Sequence, residues 1–258
     1  MDIVLLGSGN VATHLGKAFK IAGQTISQVW SRNSDHAAEL ADVLAAEPIT
    51  DLFDLNQDAD LYIISVKDEG IANLASELKL KDKLIVHTSG TTGISALEGV
   101  SSRFGVFYPL QTFSKVKSVD FRQIPIVVEG NSPEVCALIH AIADRLSENV
   151  IELNSEQRRT LHISAIFACN FTNHLFALAK ELLDEQKLDF DLLKPLIAET
   201  VDKIQLNDPV TVQTGPAIRS DISTMNAHLD LLENKPELKL LYEKLSQSIV
   251  NLQQRSEG

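Results

Sequence analysis

The residues best suited to chemistry start at position 7. Gly7-Ser8-Gly9-Asn10-Val11-Ala12 fits G-x-G-x-x-A, directly behind the apolar run Ile3-Val4-Leu5-Leu6. A helical pattern follows at once, with Val11, Leu15, Ala18, Phe19 and Ala22 on one face. Strand, tight turn and helix in that order are the context a dinucleotide fingerprint requires. Gly7 permits the sharp turn, Gly9 keeps a side chain off a pyrophosphate, and Ala12 lets the helix pack close to the strand. The helix N-terminus offers free N–H groups and the positive end of its dipole to phosphates. The competing reading is a glycine turn that opens an α/β domain without a ligand.

At the end of the second strand stands Ser31-Arg32. An NAD-selective domain carries an acid here, about 20 residues past the glycines, for the ribose 2′-hydroxyl. Between Ala12 and Arg32 there is none, and the first acid is Asp35. A hydroxyl and a guanidinium suit a 2′-phosphate instead, which favours NADP over NAD. Arg32 as a solvated loop residue is the alternative. Val66 and Lys67, where the strand over 61–66 ends, would border the nicotinamide ribose, because strand ends line the ligand crevice of such sheets. Lys67 also reads as a solvated helix start.

Further along, His87-Thr88-Ser89-Gly90 follows a buried-type strand and enters the same crevice, as do Tyr108, Gln111 and Thr112. A long apolar helix over 161–183 then places Arg159, His162, Ile166, Asn170 and Asn173 on one side at 100° per residue. A polar stripe on a buried helix must meet partners, water or ligand. Histidine as a residue type titrates near neutral pH, so His162 suits general acid–base work and Asn170 can orient a substrate. A structural polar network between helices fits the same stripe. Arg219, in Thr214-Gly215-Pro216-Ala217-Ile218-Arg219-Ser220-Asp221, can clamp a carboxylate bidentately. The alternative there is an Arg219–Asp221 or helix-cap interaction, with Asp221 capping the helix that carries His228.

These groups need elements to hold them. The first half alternates strands, over 3–6, 26–30, 61–66, 84–87, 104–107, 126–128 and 150–153, with helices over 35–44 and 133–146. That alternation implies a mostly parallel, doubly wound sheet. After Asn154 only helical patterns remain, over 161–183, 192–206 and 238–252. The expected domains are therefore 1–153, dinucleotide-binding, and 154–258, all-helical. Residues 255–258 read as a frayed tail. Strand-end residues His87, Tyr108 and Gln111 are expected to face His162, Asn170 and Arg219 across an interdomain cleft.

Composition narrows the partners. A formal charge of −12 on 258 residues argues against nucleic acid or an anionic membrane surface. Two cysteines, Cys136 and Cys169, and no C-x-x-C spacing fit a reducing cytoplasm rather than a disulfide framework. The seven histidines lack metal-ligand spacing, so no metal is expected. The apolar run that Gly7 ends is too short for a signal peptide, and no stretch is read as approaching the ~20 residues that span a bilayer. The apolar C-terminal half is expected to be covered in a two-fold homodimer formed through the helical domain.

Taken together, GSGNVATHLG, SVKD, HTSG, YPLQTFS, HISAIFACNF and TGPAIRSD resemble one family. Its members are Rossmann-like NADP-binding proteins with a helical C-terminal domain of uncharacterised function. They are related to pyrroline-5-carboxylate reductase, prephenate dehydrogenase, ketopantoate reductase and 6-phosphogluconate dehydrogenase. The resemblance implies α/β architecture: an N-terminal Rossmann doubly wound sheet and an all-α domain like the C-terminal part of 6-phosphogluconate dehydrogenase. Two departures stand out. Tyr108 sits where the family often has histidine, and Ser220 where it commonly has glycine. The hydroxyacid dehydrogenase relatives also place a lysine four residues before the helix asparagine, whereas this chain has Ile166 before Asn170. The expected activity is an NAD(P)-dependent oxidoreductase of a small carboxylate-bearing carbonyl, imine or alcohol, with His162, His87 or a water managing the proton, Asn170 orienting the substrate and Arg219 holding the carboxylate. The alternative, which the missing lysine favours, is a non-catalytic NADP-binding sensor or scaffold.

Overall fold

A computed structural model describes residues 1–114 and 119–257. One eight-stranded sheet is built from β1 Asp2–Leu6, β2 Thr25–Trp30, β3 Glu47–Ile49, β4 Leu61–Ile64, β5 Lys81–His87, β6 Ser101–Pro109, β7 Ile126–Gly130 and β8 Val150–Glu152. Their spatial order is β3-β2-β1-β4-β5-β6-β7-β8. Neighbours run parallel except β6 and β7, which are antiparallel. The first six follow the doubly wound dinucleotide order, with the strand order reversing between β1 and β4.

Strand alternation assigns the two faces. Ile3, Leu5, Leu61, Ile63, Leu84 and Val86 point to one, against α1 Asn10–Ile21, α2 Ser34–Leu44 and α4 Pro133–Ala143. Val4, Leu6, Tyr62, Ile64 and Ile85 point to the other, against α3 Asp68–Glu77. Both faces are dry, which is why these strands read as continuous apolar runs. The sequence reading did not include β3. Three residues containing Pro48 look like a loop, and an edge strand tolerates proline. Only Ile49 of the three is buried.

Beyond β8 a capping box starts the long helix. The Asn154 side chain accepts from Gln157 N–H, and the Gln157 side chain accepts from Asn154 N–H. The helix comprises α5 Ser155–Ala165, a π-helical segment Ile166–Phe171, and α6 Thr172–Glu185. The even 100° advance used to align Asn170 with His162 does not hold across a π segment, where bonds run i→i+5. Expected as buried, the helix instead leaves Ile163, Phe167 and Phe171 54%, 64% and 49% exposed.

It also corrects the expectation about apolar length. Ser155–Glu185 is 31 residues long with an 18-residue window of mean hydropathy 1.2, long and apolar enough by length and composition to cross a membrane. Scattered Ser, Thr, His and Asn break any continuous apolar run yet leave the mean high.

Two compact units make up the chain, Met1–His174 and Leu175–Gly258. Strand patterns end before Asn154, but the first unit continues through α5 because that helix is bonded to the sheet's loops. The second unit contains the rest of α6, then α7 Lys194–Leu206, α8 Ile222–Leu231 and α9 Pro236–Glu257. In it, His228 Nδ1 and the Tyr242 hydroxyl pair at 2.9 Å between α8 and α9. The expected frayed tail is helical to Glu257, and Gly258 lies outside the described residues.

Candidate active site

The glycine turn has the shape its sequence predicts. Gly7 has φ +132°, and a Cβ there would stand 2.4 Å from the Ser65 carbonyl oxygen. Only glycine lets β1 approach the end of β4 so closely. Gly9, by contrast, faces open space, with nothing within 4 Å of a Cβ position. It is the N-cap of α1, no side chain caps the helix, and its first turn carries no acid. Those free N–H groups and that room fit a pyrophosphate. Ala12 is fully buried, as close helix packing requires. Val11, half-buried, begins the helix beside it.

Neighbouring polar groups brace the turn. Ser8 Oγ donates to Ser31 Oγ at 3.1 Å, and Asn33 N–H donates to the same oxygen. Ser31 therefore ties the glycine turn to the end of β2, with its own proton left to give. Asn10 Nδ2 donates to the Phe113 carbonyl, so its amide secures the segment after β6. His14 helps, through Nε2 to the Ser114 carbonyl and by stacking on Phe113.

A cleft of about 840 Å³ opens beside this turn, lined in part by Trp30, Arg32, Phe53, Val66 and Asn73. Arg32 and Val66, both expected at a cofactor, thus share one cleft. Phe53, 97% exposed on a 3-10 turn after β3, was missed because a lone phenylalanine in an unrecognised element carries no signal. Asp51 also lines the cleft, but its carboxylate accepts from Phe53 N–H as a cap. Lys67 is exposed at the start of α3.

Along the same sheet edge, Thr88 Oγ1 donates to Ser65 Oγ at 3.3 Å, joining the ends of β4 and β5. His87 is fully buried, and its Nδ1 accepts from Ser89 N–H. Burial, helped by the Arg158 charge, lowers its pKa to about 4, against the pull of the Gly93 backbone and Asp68. His87 is thus neutral at physiological pH. Its Nε2 has no hydrogen bond of ordinary geometry.

Next to it, Tyr108 at the end of β6 meets His162 on α5, Oη to Nδ1, at 3.0 Å. Burial, with a smaller contribution from Asp68, pushes the Tyr108 phenol up to about 12. His162 is half-buried rather than sealed. Gln111 and Thr112 do not join this group. They are exposed and hydrogen-bond each other.

The sequence reading passed over Arg158, the residue that secures this arrangement. It is fully buried, pairs with Glu129 at the end of β7, and donates to the Thr92 carbonyl and Ser155 Oγ. Arg159 Nε donates to the Thr91 carbonyl at 3.0 Å, and Ile94 N–H to Ser155 Oγ. The loop after β5 is therefore fastened to α5 along its length. The available signal was the capping box at Asn154, which fixes the helix start and hence the register of Arg158.

Asn170 lies in the π segment, is exposed, and its side chain makes no hydrogen bond among the described residues. π segments recur at functional sites. Arg219 belongs to the second unit and is exposed. Asp221 beside it caps α8 through Thr224, as the helix-cap reading expected. Those bonds, with smaller help from Arg219 and His228, hold its carboxyl below the usual range. Among the described residues no group of His, Cys, Asp and Glu is arranged to hold a metal.

Residues 2–90 match the family described as NADP oxidoreductase coenzyme F420-dependent, and residues 124–249 match a domain of unknown function, DUF2520. A crystallised protein from Bacteroides fragilis, described as a candidate NADP oxidoreductase, is 47% identical over 97% of this chain and 98% of its own, with a TM-score of 0.90. The fold is also that of a 1-pyrroline-5-carboxylate reductase from Streptococcus pyogenes, at 14% identity, 97% and 98% coverage and TM-score 0.64. An imine reductase from Myxococcus stipitatus in complex with NADP+ shares it too, at 16% identity, 99% and 94% coverage and TM-score 0.63. No curated protein is significantly similar to the chain in sequence.

Proposed function

The chain belongs to the family of the Bacteroides fragilis protein described as a candidate NADP oxidoreductase, and from that membership, with its own F420-dependent-type NADP oxidoreductase domain ahead of DUF2520, we propose that it is an NADP-dependent oxidoreductase of a small carboxylate-bearing carbonyl, imine or alcohol. NADPH, when bound, supplies the hydride. The residues of the chain hold it and manage the proton. Gly7, Ser8, Gly9, Asn10, Val11 and Ala12 form the pyrophosphate turn, Ser31 and Arg32 take the 2′-phosphate, and Val66 and Lys67 border the nicotinamide ribose. His162 is the acid–base group and Asn170 the orienting amide. His87, neutral and buried, supports the loop that His162 faces. Arg219 is proposed to pair with the substrate carboxylate.

One observation carries this reading. A half-buried histidine hydrogen-bonded to a tyrosine sits on the sheet edge that also carries the glycine turn. Ligands of doubly wound sheets bind along that edge. A cytoplasmic setting is part of the same proposal, supported by two unpaired cysteines. So is a homodimer, supported by Leu192, Leu196 and Leu206 standing 65%, 63% and 86% exposed on the second unit.

The test is NADPH oxidation, followed by absorbance, against a panel of 2-oxo acids and cyclic imines with and without a carboxylate. Turnover of a carboxylate-bearing member, with NADPH preferred over NADH and the preference narrowed in Arg32→Ala, is expected. Stoichiometric NADPH binding with no turnover across the panel would overturn the enzyme reading in favour of a sensor.

A further inference from the structure

The environment of the His162 ring is asymmetric, and the asymmetry identifies a working atom. On one edge, Nδ1 lies 3.0 Å from Tyr108 Oη, with the two rings edge-to-face at 6.0 Å between centroids. Gly90 walls the same edge. A Cβ at that position would lie 2.5 Å from His162 Nδ1, 2.8 Å from its Cγ and 2.9 Å from Tyr108 Cζ. The loop that carries Gly90 is fixed by buried Arg158, through Thr92, and by Arg159, through Thr91. On the other edge, Nε2 has no hydrogen bond among the described residues.

We propose that Nε2 of His162 is the atom that gives the substrate its proton, and that Tyr108 and Gly90 are positioning residues that hold the ring with Nδ1 turned inward. The proposal rests on the oxidoreductase reading for the identity of the reaction, though not for the orientation of the ring. Tyrosine suits the task because its hydroxyl both donates and accepts. Against the imidazolium it accepts from Nδ1–H; against the neutral ring with a free Nδ1 lone pair it donates. Because burial keeps the phenol protonated to about pH 12, that donor persists throughout the physiological range. In the reaction, the carbon of a C=O or C=N bond takes the hydride and the heteroatom takes the Nε2 proton of the imidazolium. The C=O or C=N π bond breaks, new C–H and O–H or N–H bonds form, and the ring is left neutral with its remaining proton on Nδ1, donated to Tyr108 Oη. Asp68 and Arg158 are the charged groups that act on the Tyr108 phenol, and Arg159 shares α5 with His162. Gly90 explains a feature the sequence left open: the last residue of His87-Thr88-Ser89-Gly90 has no side chain because the pair occupies that space.

The orientation can be tested without a substrate. The intact chain is alkylated with iodoacetamide, and the product at His162 is assigned as the Nε2 or Nδ1 isomer by peptide mass spectrometry and NMR. The wild type is expected to give the Nε2 isomer almost alone. Tyr108→Phe and Gly90→Ala are expected to lower the Nε2 to Nδ1 ratio about fivefold or more, the scale set by one lost hydrogen bond. NADPH affinity should stay unchanged in both. Nδ1 alkylation in the wild type, or a ratio that neither substitution moves, would overturn the proposal. A structural role for Tyr108 alone would change melting temperature without changing this ratio. If the ratio behaves as expected and no substrate is turned over, the oxidoreductase reading fails while the orientation stands.

Discussion

At the scale of single residues, the two glycines of the turn make opposite demands. Gly7 is needed by the fold, since its φ of +132° and the Ser65 carbonyl 2.4 Å from a Cβ leave no room for a side chain. Gly9 is needed by the ligand, since a side chain there meets nothing in the protein. Gly7→Ala should therefore cost stability, about 3 kcal/mol or more from backbone strain and overpacking. Gly9→Asp should melt normally and lose NADPH binding in calorimetry. A Gly9→Asp protein that still bound NADPH would remove the pyrophosphate from this turn.

Ser220 also carries a specific cost, as one of four described non-glycine residues with positive φ. It has φ +54°, in the left-handed region that favours glycine. Ser220→Gly should stabilise the protein, by about 0.5–1 kcal/mol after the entropy of the extra glycine is allowed for. Thermal denaturation showing a loss would indicate that the hydroxyl has a contact that outweighs the backbone strain.

At the scale of elements, the glycine turn, β1 and α1 were fully legible because their signal is local. Tyr108 and His162 were expected to face one another across a cleft, but their direct hydrogen bond between β6 and α5 was not legible. Their contact depends on a loop, 88–94, whose path is set by buried Arg158. Sequence patterns report periodicity, and a single buried arginine has none. The π segment escaped for a related reason: Ile166–Phe171 reads as ordinary helix by composition, and only the bond pattern distinguishes it.

His87 gives this level a pH signature. Its folded pKa of about 4 lies below the usual value of 6.5, so between those pH values the unfolded chain binds a proton that the folded chain does not. Stability contributed by neutral His87 is complete above about pH 6.5 and is lost as pH falls toward 4, on the order of 3 kcal/mol in total. In urea denaturation across that window, His87→Gln should lose visibly less stability than the wild type. Parallel pH profiles would mean that His87 is protonated in the folded protein.

At the scale of the whole molecule, large apolar side chains remain uncovered on the long helix and on the second unit, Phe167 and Leu196 at 64% and 63% among them. Exposed apolar surface of that kind marks an interface. A second copy of the chain is the expected cover, and light scattering at micromolar concentration should give twice the 28.3 kDa chain mass. A stable monomer would require another partner for these faces. The apolar composition of the helical half gives the expectation that it is covered, but the identity of its cover is not a property of one chain's sequence.

The central claim is that His162 manages the proton at an NADP-dependent site. Its most direct test is to compare wild type and His162→Ala in NADPH oxidation with the best substrate of the panel, alongside NADPH affinity by calorimetry. The expected result is a fall in kcat of about 100-fold or more, the usual contribution of a positioned acid–base group, with NADPH affinity nearly unchanged. Turnover undiminished in His162→Ala would contradict the claim, as would a loss confined to melting temperature.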